Sequence, residues 1–187
     1  ALKAWDVAGT DNPQGKTKVK HGSGICGRVI HESVPRFKNI KTEKVIANKH
    51  NASIVLGRDR PGDPCSGYGG SAHTHCASID MVAGRMSYLA REQNDDGRKI
   101  HVDPSFKADA ARIYVSQKTD VDKNFELCKG TLPVANTRSA IALKADGVRI
   151  IAREGIKLVS GVDRINSQGG DISRGAYGIN LIGGNDD

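Results

Sequence analysis

"DGVRIIAREGIKLVSG", residues 146–161, is two phrases of equal length. Asp146-Gly147-Val148-Arg149-Ile150-Ile151-Ala152-Arg153 is followed by Glu154-Gly155-Ile156-Lys157-Leu158-Val159-Ser160-Gly161. Each reads acidic, Gly, β-branched, basic, aliphatic, aliphatic, small, then Arg or Gly. In an extended chain alternate side chains share a side. Val148 and Ile150 therefore go together, as do Ile156 and Leu158, with Arg149 and Lys157 opposite them. Gly147 and Gly155 fall at equivalent positions, where a residue without Cβ suits a corner. One phrase at ~3.3 Å per residue spans about 26 Å, whereas closing around a core ~10 Å across takes more than about 30 Å. One chain with this repeat cannot wrap its own core. Three chains wound together can, each supplying one side of a triangular prism with the apolar pairs on the common axis. Strand edges are then paired between chains and hidden.

Outward from the octads the signal stays β. "KVIANKHNASIVLGRDR", "ASIDMVAGRM", "ARIYVSQKTDV", "SAIALKA" and "GINLIGG" are short aliphatic runs bounded by Gly, Pro, Asn or Asp, and "ICGRVIHESV" reads the same way. "ASIVLGR" (52–58) and "ASIDMVAGR" (77–85) share their opening and close, and "SAIALKA" (139–145) echoes them. This self-similarity predicts rungs of a β-solenoid with Gly/Pro-rich insertions; the alternative is a non-repetitive barrel or sandwich. Short helices are expected only near 85–94 and 106–111. The segments 59–76 and 91–105 read as long loops, where contacts tend to sit. The expected organisation is a basic extended arm at 1–24, a β-rich domain at 25–135, and the octads with a C-terminal β tail at 136–187.

Composition narrows the function classes. The chain carries 28 Lys+Arg against 21 Asp+Glu, a formal charge of +7, spread along the sequence. Aromatics are 4% and Gly is 22 of 187 residues. Few aromatic faces argue against a single-stranded nucleic-acid platform, and many glycines with short aliphatic runs suit a turn-rich β protein. No stretch approaches ~18 apolar residues, so no membrane span is expected. "ALKAWDVAGT" has no apolar signal region, which favours reduced thiols among Cys26, Cys65, Cys76 and Cys128.

The stretch "SAIALKADGVRIIAREGIKLVSG" (139–161) resembles the intertwined trimeric β-helix of the cell-puncturing spikes of contractile-tailed bacteriophages and of type VI secretion spikes. The resemblance covers about 23 residues. It implies an all-β homotrimer located in the virion. Such a protein would be a non-enzymatic tail, baseplate, collar or head-decoration component that docks on other virion proteins. It places Val148, Ile150, Ile156 and Leu158 in the trimer core and Gly147 and Gly155 at the corners. The octads are few and the chain continues past them, which fits a trimerisation clamp better than a needle. Lys16, Lys18 and Lys20 mark the arm as a docking element.

Candidate chemistry concentrates in "SAHTHCASID" (71–80). His73 and His75 project the same way in an extended segment. Three chains would bring six imidazoles to one axis, an octahedral set suited to Fe(II), and some phage spikes carry a similar His-x-His iron site. The same residues fit the Ser-x-His-x6-Asp spacing of zinc D-Ala-D-Ala peptidases, with Ser71, His73 and Asp80, but the third zinc ligand such a site needs has no counterpart. A zinc hydrolase and a basic nucleic-acid-binding module are the two rival readings. Cys65 and Cys76 bracket this loop and are spaced to close it with a disulfide. Asp120, Asp122 and Asn124 have calcium-loop spacing, but Phe125 stands where a Gly is needed and Thr131 where a Glu is needed.

Overall fold

The structure, a computed structural model, describes residues 33–58, 76–102, 104–172 and 178–185. From Val34 onward these belong to one unit, Val34–Asp187. Its main element is a five-stranded antiparallel sheet. The strands are β2 (Lys44–Ala47), β3 (Ala52–Arg58), β4 (Ala77–Ala83), β6 (Ala111–Thr119) and β7 (Arg138–Lys144), in that spatial order. Two short strands, β1 (Arg36–Phe37) and β5 (His101–Val102), form a separate parallel pair.

The chain is thus a β protein built on an antiparallel sheet, as the aliphatic runs predict. The similarity of "ASIVLGR" and "ASIDMVAGR" has a local cause. They are neighbouring strands, β3 and β4, in full register from Ala52↔Ala83 to Arg58↔Ala77. They look alike because they present matching faces to the same two environments. Among the described residues no solenoid rung closes within the single chain. The expected helix near 85–94 is one 3-10 turn, Ser87–Leu89, and the residues at 106–108 form a turn. A helix the sequence did not announce, α1 (Val121–Phe125), follows β6. Its flanking carboxylates explain it. Asp120 Oδ1 accepts from Thr137 N at 2.6 Å and Asp122 Oδ2 from Ala135 N at 2.7 Å. The residues of the calcium-like spacing thereby tie down the connection to β7. Asn124 Nδ2 donates to Thr119 Oγ1 at 2.9 Å.

One turn is used three times. Asn48, Asn94 and Asn166 each open a tight reversal whose fourth residue has positive φ: Asn51 at 56°, Gly97 at 75° and Gly169 at 81°. In each, the Asn N–H donates to the carbonyl four residues on, that of Ala52, Arg98 or Gly170. The Asn Oδ1 accepts the amide of that same residue, at 3.0, 2.8 and 3.1 Å. This is a three-residue hairpin loop with a left-handed closing position, for which Asn and Gly are the fitting residues.

The two faces of the sheet differ in an unusual sense. One face carries Asp80, Arg112, Tyr114, Ser116 and Val82, and it is covered by the segment 84–110 and by β1. The other carries one aliphatic row across all five strands and a second across four. Ile46, Ile54, Met81, Ile113 and Leu143 stand in register, and beside them Leu56, Ile79, Val115 and Ile141. That aliphatic face is open. Among the described residues only Val55, Cys76, Val82, Phe106 and Tyr114 form the buried hydrophobic set, whereas 22 large hydrophobic residues are exposed. Contiguous exposed aliphatic surface of this kind is uncommon on an isolated soluble domain.

Candidate functional site

After β7 the chain bends at Ala145-Asp146 and again at Arg153-Glu154, and it forms no strand between 147 and 163; Gly161 has positive φ. None of residues 147–163 makes a backbone hydrogen bond to another strand among the described residues. Every residue from Ala145 to Arg164 is exposed. The four candidate core residues follow suit: Ile150 is 66% and Leu158 65% exposed, with Val148 and Ile156 about half so. Ile151, Val159 and Val162 are exposed as well. Backbone whose N–H and C=O groups have no strand partner among the described residues can serve as a template for pairing with other chains. Its aliphatic alternation supplies the side-chain burial that such pairing would need.

The corner glycines are not forced by the backbone. Neither Gly147 nor Gly155 has positive φ. A Cβ at Gly155 would meet nothing within 4 Å, and one at Gly147 would meet only the flexible Arg149 guanidinium, at 3.2 Å. Within one chain these positions accept a side chain. Arg149 and Lys157 are exposed, and Arg149 Nη1 donates to its neighbour's carbonyl, that of Val148.

Beneath the sheet lies a four-residue ionic cluster that the sequence did not reveal. Arg112 Nε is 2.8 Å from Asp80 Oδ1, and Arg112 Nη2 is 2.6 Å from Asp109 Oδ2. Arg85 lies 3.5 Å from Asp109 and 3.8 Å from Asp80. All four side chains are buried. Two carboxylates and two guanidiniums neutralise one another, which is the condition for keeping charge out of water. Aromatic rings close the cluster off: Phe37 under Arg85 at 4.5 Å and Phe106 under Arg112 at 4.6 Å. Phe106 packs edge-on against Tyr114 and Phe125. Asp109 Oδ1 also accepts from Met86 N at 3.0 Å, tying the loop after β4 to the cluster. Burial pushes the Asp80 carboxyl above its ordinary value, an effect that Arg112 and Arg85 only partly offset.

This places Asp80, the carboxylate of the zinc-peptidase spacing, between two cations on the covered face of the sheet. Its oxygens point at guanidiniums and not at an open cleft. Among the described residues no group of three or more His, Cys, Asp or Glu could hold a metal. Ser71, His73, His75, Cys65, Lys16, Lys18 and Lys20 lie outside the described residues. Cys76 is buried at the start of β4. No helix among the described residues is long and apolar enough to cross a membrane.

Compared with known protein families, curated proteins and solved structures, the chain matches none.

Proposed function

We propose that this chain is a non-enzymatic structural component of a tailed-phage virion, a homotrimer whose octads wind into a short intertwined β-helix and whose remaining surface docks on neighbouring virion proteins. The observation that carries the assembly is the stretch 147–163: it is exposed and, among the described residues, has no strand partner, with Val148 and Ile150, and Ile156 and Leu158, at alternate positions. Backbone without a partner among the described residues can gain its hydrogen bonds from other copies of the chain. The reach of one octad against the girth of a core favours three chains over one. The likeness of 139–161 to phage and type VI secretion spikes supplies the virion setting. With two full octads the segment works as a clamp that holds three copies in register.

Native mass spectrometry of the full chain tests this. A trimer at micromolar concentration is expected, and Ile156→Asp, which would set three carboxylates on the axis, is expected to give monomers. A monomeric wild-type chain, or unaltered Ile156→Asp trimers, would overturn the reading. Gold-labelled antibody on intact particles tests the virion setting.

A further inference from the structure

We propose that the open aliphatic face of the five-stranded sheet is a second self-association surface, packing against the same face of other copies around the axis along which the octads wind. This rests on the homotrimer reading and extends it from the octad strand to the body of the protein.

Three observations identify the occupant as another copy of this chain. The first is continuity. β7 carries Ile141 and Leu143, the last members of the two aliphatic rows, and leads within a few residues into the first octad. The cleft over the rows is walled at that end by Gly147, Val148 and Arg149. Three octads meeting on an axis draw the attached sheets together on this side, so a different partner seated on the face would collide with the start of the octad bundle.

The second is area. An octad ribbon of 16 residues is about 50 Å long and ~5 Å wide, on the order of 250 Å². A stable interface buries about 800 Å² per partner. The two aliphatic rows are flanked by a third row of small residues, Ala52, Ala83 and Ala111. The twelve positions of the three rows, at about 4.8 Å by 6.7 Å each, cover on the order of 400 Å². Octad and face together come to about 650 Å², most of the way to a stable interface, whereas the octad alone covers less than a third of it.

The third is chemistry. The central positions of the face carry no charge; Lys44 stands at its edge strand and Arg58 in a flanking row. A nucleic acid or an anionic surface would need cations there. A self-contact of aliphatic rows needs only matching shape, and sheets stack face to face at ~10 Å.

The test uses the full chain with substitutions at Ile113, which sits on the central part of the face and is 42% exposed. Analytical ultracentrifugation of wild type, Ile113→Val and Ile113→Glu is compared, with far-ultraviolet circular dichroism as the folding control. Wild type and Ile113→Val are expected to be trimers, and folded Ile113→Glu to dissociate at concentrations at least tenfold higher. Ile113→Glu trimers as tight as wild type would overturn the sheet-face proposal and leave the octad reading standing. A monomeric wild type would overturn both. Should Ile113→Glu fail to fold, Ile113→Cys treated with a short bis-maleimide decides. A cross-linked band between copies, absent from wild type, supports the proposal, and its absence overturns it.

Discussion

Asp80 Oδ1 lies 2.8 Å from Arg112 Nε on the covered face of the sheet, while the next residues along the two strands, Met81 and Ile113, stand opposite each other on the open face. The polar alternation is therefore turned inward and the aliphatic alternation outward. An isolated globular domain would do the reverse, since burial of apolar area is the main favourable term in folding. Under the homotrimer proposal, assembly closes the aliphatic side.

The ionic cluster should be costly to break and cheap to keep. Removing one partner strands the other charge away from water, at about 3–5 kcal/mol for a buried pair. Arg112→Met and Asp80→Ala are each expected to lower unfolding free energy by about that amount in urea titrations. The double variant Asp80→Ala/Arg112→Met should lose less than the sum of the two, because each single change already leaves an uncompensated charge. Strict additivity would mean that the pair is not coupled.

The pH dependence of Asp80 has a defined sign. Burial raises its native carboxyl above the ordinary value of 3.8. The native state then holds that proton more tightly than the unfolded chain. Its contribution to stability is full below the unfolded value and is lost as pH rises through the raised native value. The wild-type chain should therefore gain stability relative to Asp80→Asn as pH is lowered from neutrality toward 3.8. Melting temperatures of the two proteins across that range check this, and a difference that does not change with pH contradicts it.

The shared turn can be probed where nothing else is disturbed. Gly97 has φ +75° and a Cβ there would meet nothing within 4 Å. The cost of Gly97→Ala is thus purely that of the left-handed backbone, about 1–2 kcal/mol. Hydrogen exchange of the 93–99 hairpin should speed up accordingly, and unchanged exchange would show that the closing position tolerates a side chain.

Gly155 separates the single chain from the assembly. Its backbone is not left-handed and a Cβ would sit in open space. Under conditions that keep the chain monomeric, Gly155→Ala should shift unfolding by no more than about 0.5 kcal/mol. If three corners crowd together in the octad helix, the same change raises the concentration at which trimers dissociate. Sedimentation of both proteins reads this out, and equal dissociation would show that the corner is not a packing site.

Local structure was legible in the residues alone. Alternating runs in β2, β3, β4, β6 and β7 announced strands, because a two-residue period is written in the residues themselves; the eight-residue repeat raised the expectation of partner chains. Only the tertiary structure decided which face of the sheet is covered and what neutralises it. Asp80 and Arg112 are 32 residues apart in the chain and become partners only when β4 and β6 pair. Arg85 and Asp109 join them from the two ends of the 84–110 segment. The α1 helix was hidden for the same reason, since five residues carry too little periodicity to show and depend on Asp120 and Asp122 meeting backbone amides at Thr137 and Ala135. Charge neutralisation and hydrogen bonding between distant residues leave no period in a sequence; they arise where the fold brings complementary groups within about 3 Å and removes the water between them.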